Sequence, residues 1–284
     1  MLELVGLTAA VVAAAVGAAV WYGAARWAAR TRELRTGLAE SRVPVRLPAV
    51  DLAGLASVPP PVQRFFRAVL TDGQPRVAAV RLRHMGTFNM GETTDRWTAF
   101  TSDQQVIARR PGFDWDARMA LLPGLSVRVH DAYVAGSGIL QASVLGLYAV
   151  ADLRGGGDLA AGELMRFLAE AAWYPTVLLP GQDLTWTAVD DRTALATLTD
   201  GPVVVTLRFT FHEDGPIDTV SADARARTVA GASVPTPWQG RFWNYEVRDG
   251  MRIPLDGEVA WLLPDGPKVY WRGRITDVAF EFEQ

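Results

Sequence analysis

From Val77 to Phe282 the chain alternates apolar and polar residues in short runs, and turn-forming residues separate the runs. Val80, Leu82, His84, Gly86 and Phe88 take turns with Arg81, Arg83, Met85, Thr87 and Asn89. That period of two marks a strand with one buried face. Similar runs follow at Trp97–Arg109, Phe113–Leu122, Ser126–Ala135 and Gly138–Leu147, and resume at Leu184–Val189, Ala194–Leu198, Val203–His212 and Ile217–Arg227. The last are Trp238–Val247, Leu255–Leu263 and Lys268–Phe282. Met90-Gly91, Arg110-Pro111-Gly112, Glu213-Asp214-Gly215, Arg248-Asp249-Gly250 and Pro264-Asp265-Gly266 supply turn chemistry between runs. About eleven or twelve strands in two sets, with one helix between them, predict a large antiparallel sheet.

The intervening helix is the other fixed point. In Gly162–Gly181, Leu164, Phe167, Leu168 and Ala171 repeat at helical spacing, while Glu163, Arg166 and Glu170 share the opposite face. The helix is expected over 158–173, because Pro175 cannot continue the helical ladder. Thr176–Leu179 should then be buried before the Pro180-Gly181 turn. A shorter helix over Val62–Leu70 follows Pro59-Pro60-Pro61. A flat sheet of this size would leave long edges and an exposed apolar face, and curling around helices removes both problems. The expected fold is mainly β (α+β): one domain over 59–284, a large curved antiparallel sheet shaped like half a barrel around one or two helices.

Leu4–Ala25 contains no charged residue. These 22 residues span about 33 Å as a helix, close to the thickness of a bilayer's hydrocarbon core. Trp21, Tyr22 and Trp27 cluster where aromatic rings favour the membrane interface. Only Met1-Leu2-Glu3 precedes the run, without the basic residues of a secretory signal. The expectation is a transmembrane helix over 1–28 and a juxtamembrane linker over 29–58. Arg26, Arg30, Arg32 and Arg35 follow the span, which favours a cytoplasmic domain.

Candidate chemistry is sparse. The chain has no cysteine, which excludes thiolate metal sites and a cysteine nucleophile. His84, His130 and His212 lie on three different strands without metal-ligand spacing, so no metal or cofactor is expected. The net charge of −3 gives no basic field for nucleic acid. Asp114-Trp115-Asp116 reads as a core tryptophan between two solvated aspartates, and Gly136-Ser137-Gly138 is a poor match to a nucleophile elbow. What remains is the Glu163, Arg166, Glu170 stripe, which is solvated if exposed and a candidate site if the sheet curls over it. Ten tryptophans add aromatic walls suited to apolar ligands, notably Trp115, Trp173, Trp186, Trp238 and Trp261.

The string G-E-L-x-R-x-L-A-E-A-x-W-x-P-T-x-L-L-P at Gly162–Pro180 resembles a family of uncharacterised bacterial proteins known only as a domain of unknown function. Asp131–Gly138, Pro237-Trp238-Gln239-Gly240, and Ile253-Pro254 with Glu258 and Trp261 support it. The resemblance runs from about Pro60 to the C-terminus and implies a bacterial membrane protein without assigned activity. At the level of architecture, the plan is similar to the open half-barrels of bacterial lipoprotein carriers, an analogy that favours an extracytoplasmic domain. The expected function is a single-pass, membrane-anchored, non-enzymatic binding module for a lipid-like or other apolar ligand. The alternatives are a hydrolase-type enzyme using Glu163 or Glu170 with Arg166, and a structural or regulatory partner of a membrane protein.

Overall fold

The computed structural model describes residues 1–43, 48–122, 124–229 and 231–283. Among them, strands β1 (Val77–Asn89), β2 (Trp97–Ile107), β3 (Gly112–Leu122), β4 (Leu125–Val134), β5 (Ser137–Val144) and β6 (Tyr148–Gly155) form one meander. A second consists of β7 (Leu184–Ala188), β8 (Thr193–Asp200), β9 (Val203–Phe211), β10 (Ile217–Val229), β11 (Ala232–Arg248), β12 (Met251–Leu263) and β13 (Gly266–Phe282). All thirteen belong to one antiparallel sheet, ordered β6-β5-β4-β3-β2-β1-β13-β12-β11-β10-β9-β8-β7. The meanders join where β1 pairs with β13, from Val77 opposite Phe282 to Phe88 opposite Trp271.

Strands β6 and β7 are the two edges, and helix α3 (Gly157–Glu170) carries the chain from one towards the other. Single 3-10 turns at Ala171–Trp173 and Pro175–Leu178 complete the crossing, and Thr176 and Leu178 are buried. Helix α3 touches β3 to β6 in one half and β9 and β10 in the other, so the sheet curves around it. Its burial extends well beyond the apolar stripe. Leu164, Phe167 and Leu168 are fully buried, each worth about 1.5–3 kcal/mol, but Glu163 is buried as well. Gly138 permits the contact on β5, since a β-carbon there would lie 2.7 Å from the Leu159 carbonyl carbon. Helix α2 (Pro60–Val69) buries Val62, Phe65, Phe66 and Val69 in the same core.

Two features differ from the sequence reading. Strand β6 is additional: its residues are mostly exposed and its pairing with β5 slips between Ala142 and Ser143, so no clean alternation marks it. The N-terminal helix α1 (Leu2–Ser41) also runs well past the apolar run. Gly23, Trp27, Leu34 and Leu38 are buried along it and lie against the convex face of β2 to β4, so residues 29–41 are docked helix instead of linker. A 3-10 turn at Ala53–Ser57 follows. Before Gly23, α1 has a mean hydropathy of 2.2 over its most apolar 18 residues, none of them buried. By length and composition that segment suffices to cross a membrane.

Candidate functional site

Alternation on the inner face of the sheet brings polar groups towards α3 at a few positions. On β4 the inward row is Val127, Val129, Asp131 and Tyr133; on β2 it is Phe100, Ser102, Gln104 and Val106. Asp131 and Gln104 therefore interrupt apolar rows, and both reach the charged stripe of α3. Arg166 places Nη1 2.5 Å from Asp131 Oδ2 and Nε 2.6 Å from Glu170 Oε1. Gln104 Nε2 donates to Glu170 Oε2 at 2.6 Å. The Arg166 guanidinium lies 4.9 Å from the ring centroids of both Phe113 and Trp115, where cation–π attraction favours it.

A second guanidinium enters from the other half of the sheet. The β10–β11 register slips between Ala222 and Arg225, and this bulge turns Arg225 inward. Arg225 donates through Nη2 to the Gly162 carbonyl at 3.1 Å and through Nη1 to the Tyr270 hydroxyl at 3.4 Å. It stands 3.9 Å from Glu163 Oε1 and packs over Trp238 and Trp261. The Tyr270 hydroxyl accepts a bond from Trp238 Nε1 at 2.9 Å.

Two guanidinium groups thus meet three carboxyl groups, a surplus of one negative charge if all are ionised. Burial, reinforced by the charge of Asp131, raises the Glu163 carboxyl well above the usual range. Glu163 is the group that keeps a proton, and the remaining charges balance. Burial alone would depress Arg166, but Glu170, Asp131 and Glu163 outweigh it and hold the guanidinium charged. His84 is driven down to about 3 by burial and by the charge of Arg166, so it is neutral, with Nδ1 3.2 Å from Ser102 Oγ. The protonated Glu163 shares a hydrogen bond with Asp131, and four buried polar atoms here have no protein partner: Gln104 Oε1, Arg225 Nε, His84 Nε2 and Trp173 Nε1. An arrangement of this kind can receive the polar end of a guest that supplies both donors and acceptors.

Of the residues expected from sequence, Glu163, Arg166, Glu170, Trp115, Trp238 and Trp261 converge here. Trp173 stands next to them, 5.0 Å from His84 in ring contact and edge-on to Phe242. Trp186 lies apart, packed on Phe209 and bonded to the Leu178 carbonyl. Asp131, Gln104, Arg225 and Tyr270 were not anticipated. Polar residues at inward positions were the available signal for Asp131 and Gln104; the bulge hid Arg225.

The convex face holds a second polar cluster, and there the expectation of two solvated aspartates fails. Trp115 is in the core, but α1 covers the outward side of β3 and leaves Asp114 fully buried. Asp114 bonds His130 Nδ1 at 2.8 Å and Arg35 Nε at 3.0 Å. Asp116 accepts from Trp27 Nε1 at 2.9 Å and lies 3.0 Å from the Thr31 hydroxyl, which is equally close to His130 Nε2. The Trp27 indole stacks on His130 at 4.5 Å. The two clusters occupy opposite faces of β3 and β4.

A solved structure, that of LolA superfamily protein NE2245 from Nitrosomonas europaea, is similar with a TM-score of 0.40 and 10% identity. The match covers 82% of this chain and 94% of that one. No curated protein matches the sequence. Residues 56–280, most of the sheet with α2 and α3, match the model of a family of unknown function (DUF6920), and the chain belongs to that family.

Proposed function

We propose that the protein is a single-pass, membrane-anchored, non-enzymatic binding module, and that the concave face of its sheet holds a lipid-like ligand. The observation that carries this reading is the make-up of the concave face. Phe88, Phe100, Trp238, Trp261, Tyr270 and Trp271 form an aromatic wall in which Phe88, Trp261 and Tyr270 remain partly exposed. The wall ends at the polar cluster, whose unpartnered donors and acceptors suit a ligand's polar end. The exposed apolar segment of α1 supports the anchor. Arginines after the span favour a cytoplasmic domain and the architectural analogy an extracytoplasmic one; protease protection on sealed vesicles separates the two.

Native mass spectrometry of the full-length protein, released from detergent and followed by lipid extraction, is the direct test. A bound lipid mass that Trp261→Ala diminishes is expected. A ligand-free protein after purification from membranes overturns the reading. The hydrolase-type reading keeps one supporting observation, the proton-retaining Glu163 hydrogen-bonded to Asp131. It requires a turnover that Glu163→Gln or Glu170→Gln abolishes in a folded protein.

A further inference from the structure

The turns that end β3 and β5 stand beside α1 at the close of its apolar run. A β-carbon at Gly23 would collide with the Leu145 carbonyl, and one at Gly146 would collide with the backbone of Gly23, so helix and turn are in direct contact. From there α1 climbs the convex face away from this end, meeting Asp116 at Trp27, Asp114 at Arg35 and Gly112 at Leu38. The β3–β4 and β5–β6 turns are therefore level with the last turns of the apolar run, where Trp21 and Tyr22 are exposed. Large apolar side chains on the strand ends flanking these turns point into the open: Leu122 at the end of β3 is 65% exposed, and Tyr148 and Val150 at the start of β6 are 73% and 61% exposed, with Leu121 beside Leu122.

Directly behind this tip, Arg118 and Arg128 occupy opposed positions across β3 and β4 on the convex side. Like charges so placed repel, and among the described residues neither has a carboxylate partner. Arg128 also lines an open groove of about 800 Å³ between α1 and the sheet, with Trp27, Arg32 and Arg35 and the carboxylates Glu40 and Asp116. Apolar tips backed by unneutralised arginines, at the level where an apolar helix ends, match the sequence of layers at a bilayer surface: hydrocarbon, then phosphate.

We infer that this end of the sheet is a second membrane contact. Leu121, Leu122, Tyr148 and Val150 enter the boundary layer of the bilayer, and Arg118 and Arg128 take the phosphates of anionic lipid headgroups, to which guanidinium geometry is suited. The inference rests on the reading of α1 as a membrane anchor. Its consequence is orientation: the edge of the concave face bearing Phe88, Met119 and Val144 opens directly on to lipid.

The absence of cysteine makes the test clean. Single cysteines replacing Ala13, Leu122 and Ser137 in the full chain are labelled with a polarity-sensitive fluorophore. Each protein is reconstituted into phosphatidylcholine vesicles, with or without phosphatidylglycerol, that contain brominated lipid. Ala13 lies in the apolar run, and Ser137 begins β5 at the end opposite the tip. The expected result is that the probes at 13 and 122 lose most of their emission to the brominated lipid while the probe at 137 keeps it. A water-exposed, unquenched probe at 122 beside a quenched one at 13 overturns the contact and leaves the anchor standing. An unquenched probe at 13 overturns both. Arg118→Glu with Arg128→Glu should reduce quenching at 122 in vesicles with phosphatidylglycerol and change little in phosphatidylcholine alone. An equal response in both lipids overturns the headgroup role.

Discussion

The two faces of the sheet each bury charge beneath a helix, and they treat it differently. Under α1, each oxygen of Asp114 and Asp116 and each ring nitrogen of His130 has a partner within reach, and none of those atoms is left over. Around α3, Gln104 Oε1, Arg225 Nε, His84 Nε2 and Trp173 Nε1 are four buried polar atoms without protein partners. A complete network fixes one arrangement; an incomplete one carries an energetic cost that a guest can relieve. The convex cluster is accordingly a structural clasp that seats α1, and the concave one is the place to look for a ligand.

The largest test of this contrast is Arg166→Met. Removing the guanidinium leaves the largely buried Asp131 and Glu170 without their cation, Glu170 keeping only its bond from Gln104, an expected loss of about 3 kcal/mol in urea unfolding. Adding Asp131→Asn should recover part of it; a loss no larger than that of a surface substitution would erase the contrast.

Acid comes next. The folded state holds His84 neutral down to about pH 3, whereas the unfolded histidine gains its proton near 6.5. Its stabilisation is thus complete above 6.5 and is lost as pH falls from there towards 3. By pH 4 the cost is about 3 kcal/mol, and His84→Gln should flatten the fall in melting temperature over that window.

On the convex side, Asp114→Asn leaves Arg35 paired with Asp103 alone and weakens the hold on His130, with an expected cost of about 1–3 kcal/mol. Its signature is local: amide exchange should quicken along 26–41 of α1, while α3 stays protected.

Glu163→Gln is the smallest. Because the folded carboxyl is raised, its contribution is full below the ordinary carboxylate range and declines as pH rises towards the folded value. The variant should therefore gain about 1 kcal/mol at pH 8, an ordinary size for one substitution, and no advantage near pH 4. A gain at acid pH instead would mean that another group keeps the proton.

Much of the frame was legible because strands and α3 obey simple periods. The misses share one physical cause. Period-two reading assigns one strand face to the core and the other to water, and where α1 crosses β3 and β4 neither face is in water. Asp114 and His130 then look solvated or isolated, although Trp27, Thr31, Leu34 and Leu38 already form a stripe able to cover them. Arg225 was illegible for another reason: a bulge moves a residue to the opposite face without changing composition. Strand β6, at an exposed edge, has little burial to impose a pattern.

The pairing of β1 with β13 sets an order of events during synthesis. Every other ladder among the described residues joins strands adjacent in sequence, but Val77 must wait for Phe282, about 200 residues later. Until the last strand leaves the ribosome, the middle of the sheet is an open edge on two half-sheets, each already free to form its own hairpins. Nascent chains are most prone to cross-pair with one another in that interval. A truncation removing only Gly266–Phe282 would make that interval permanent, so the C-terminal strand is the closing seam of the molecule.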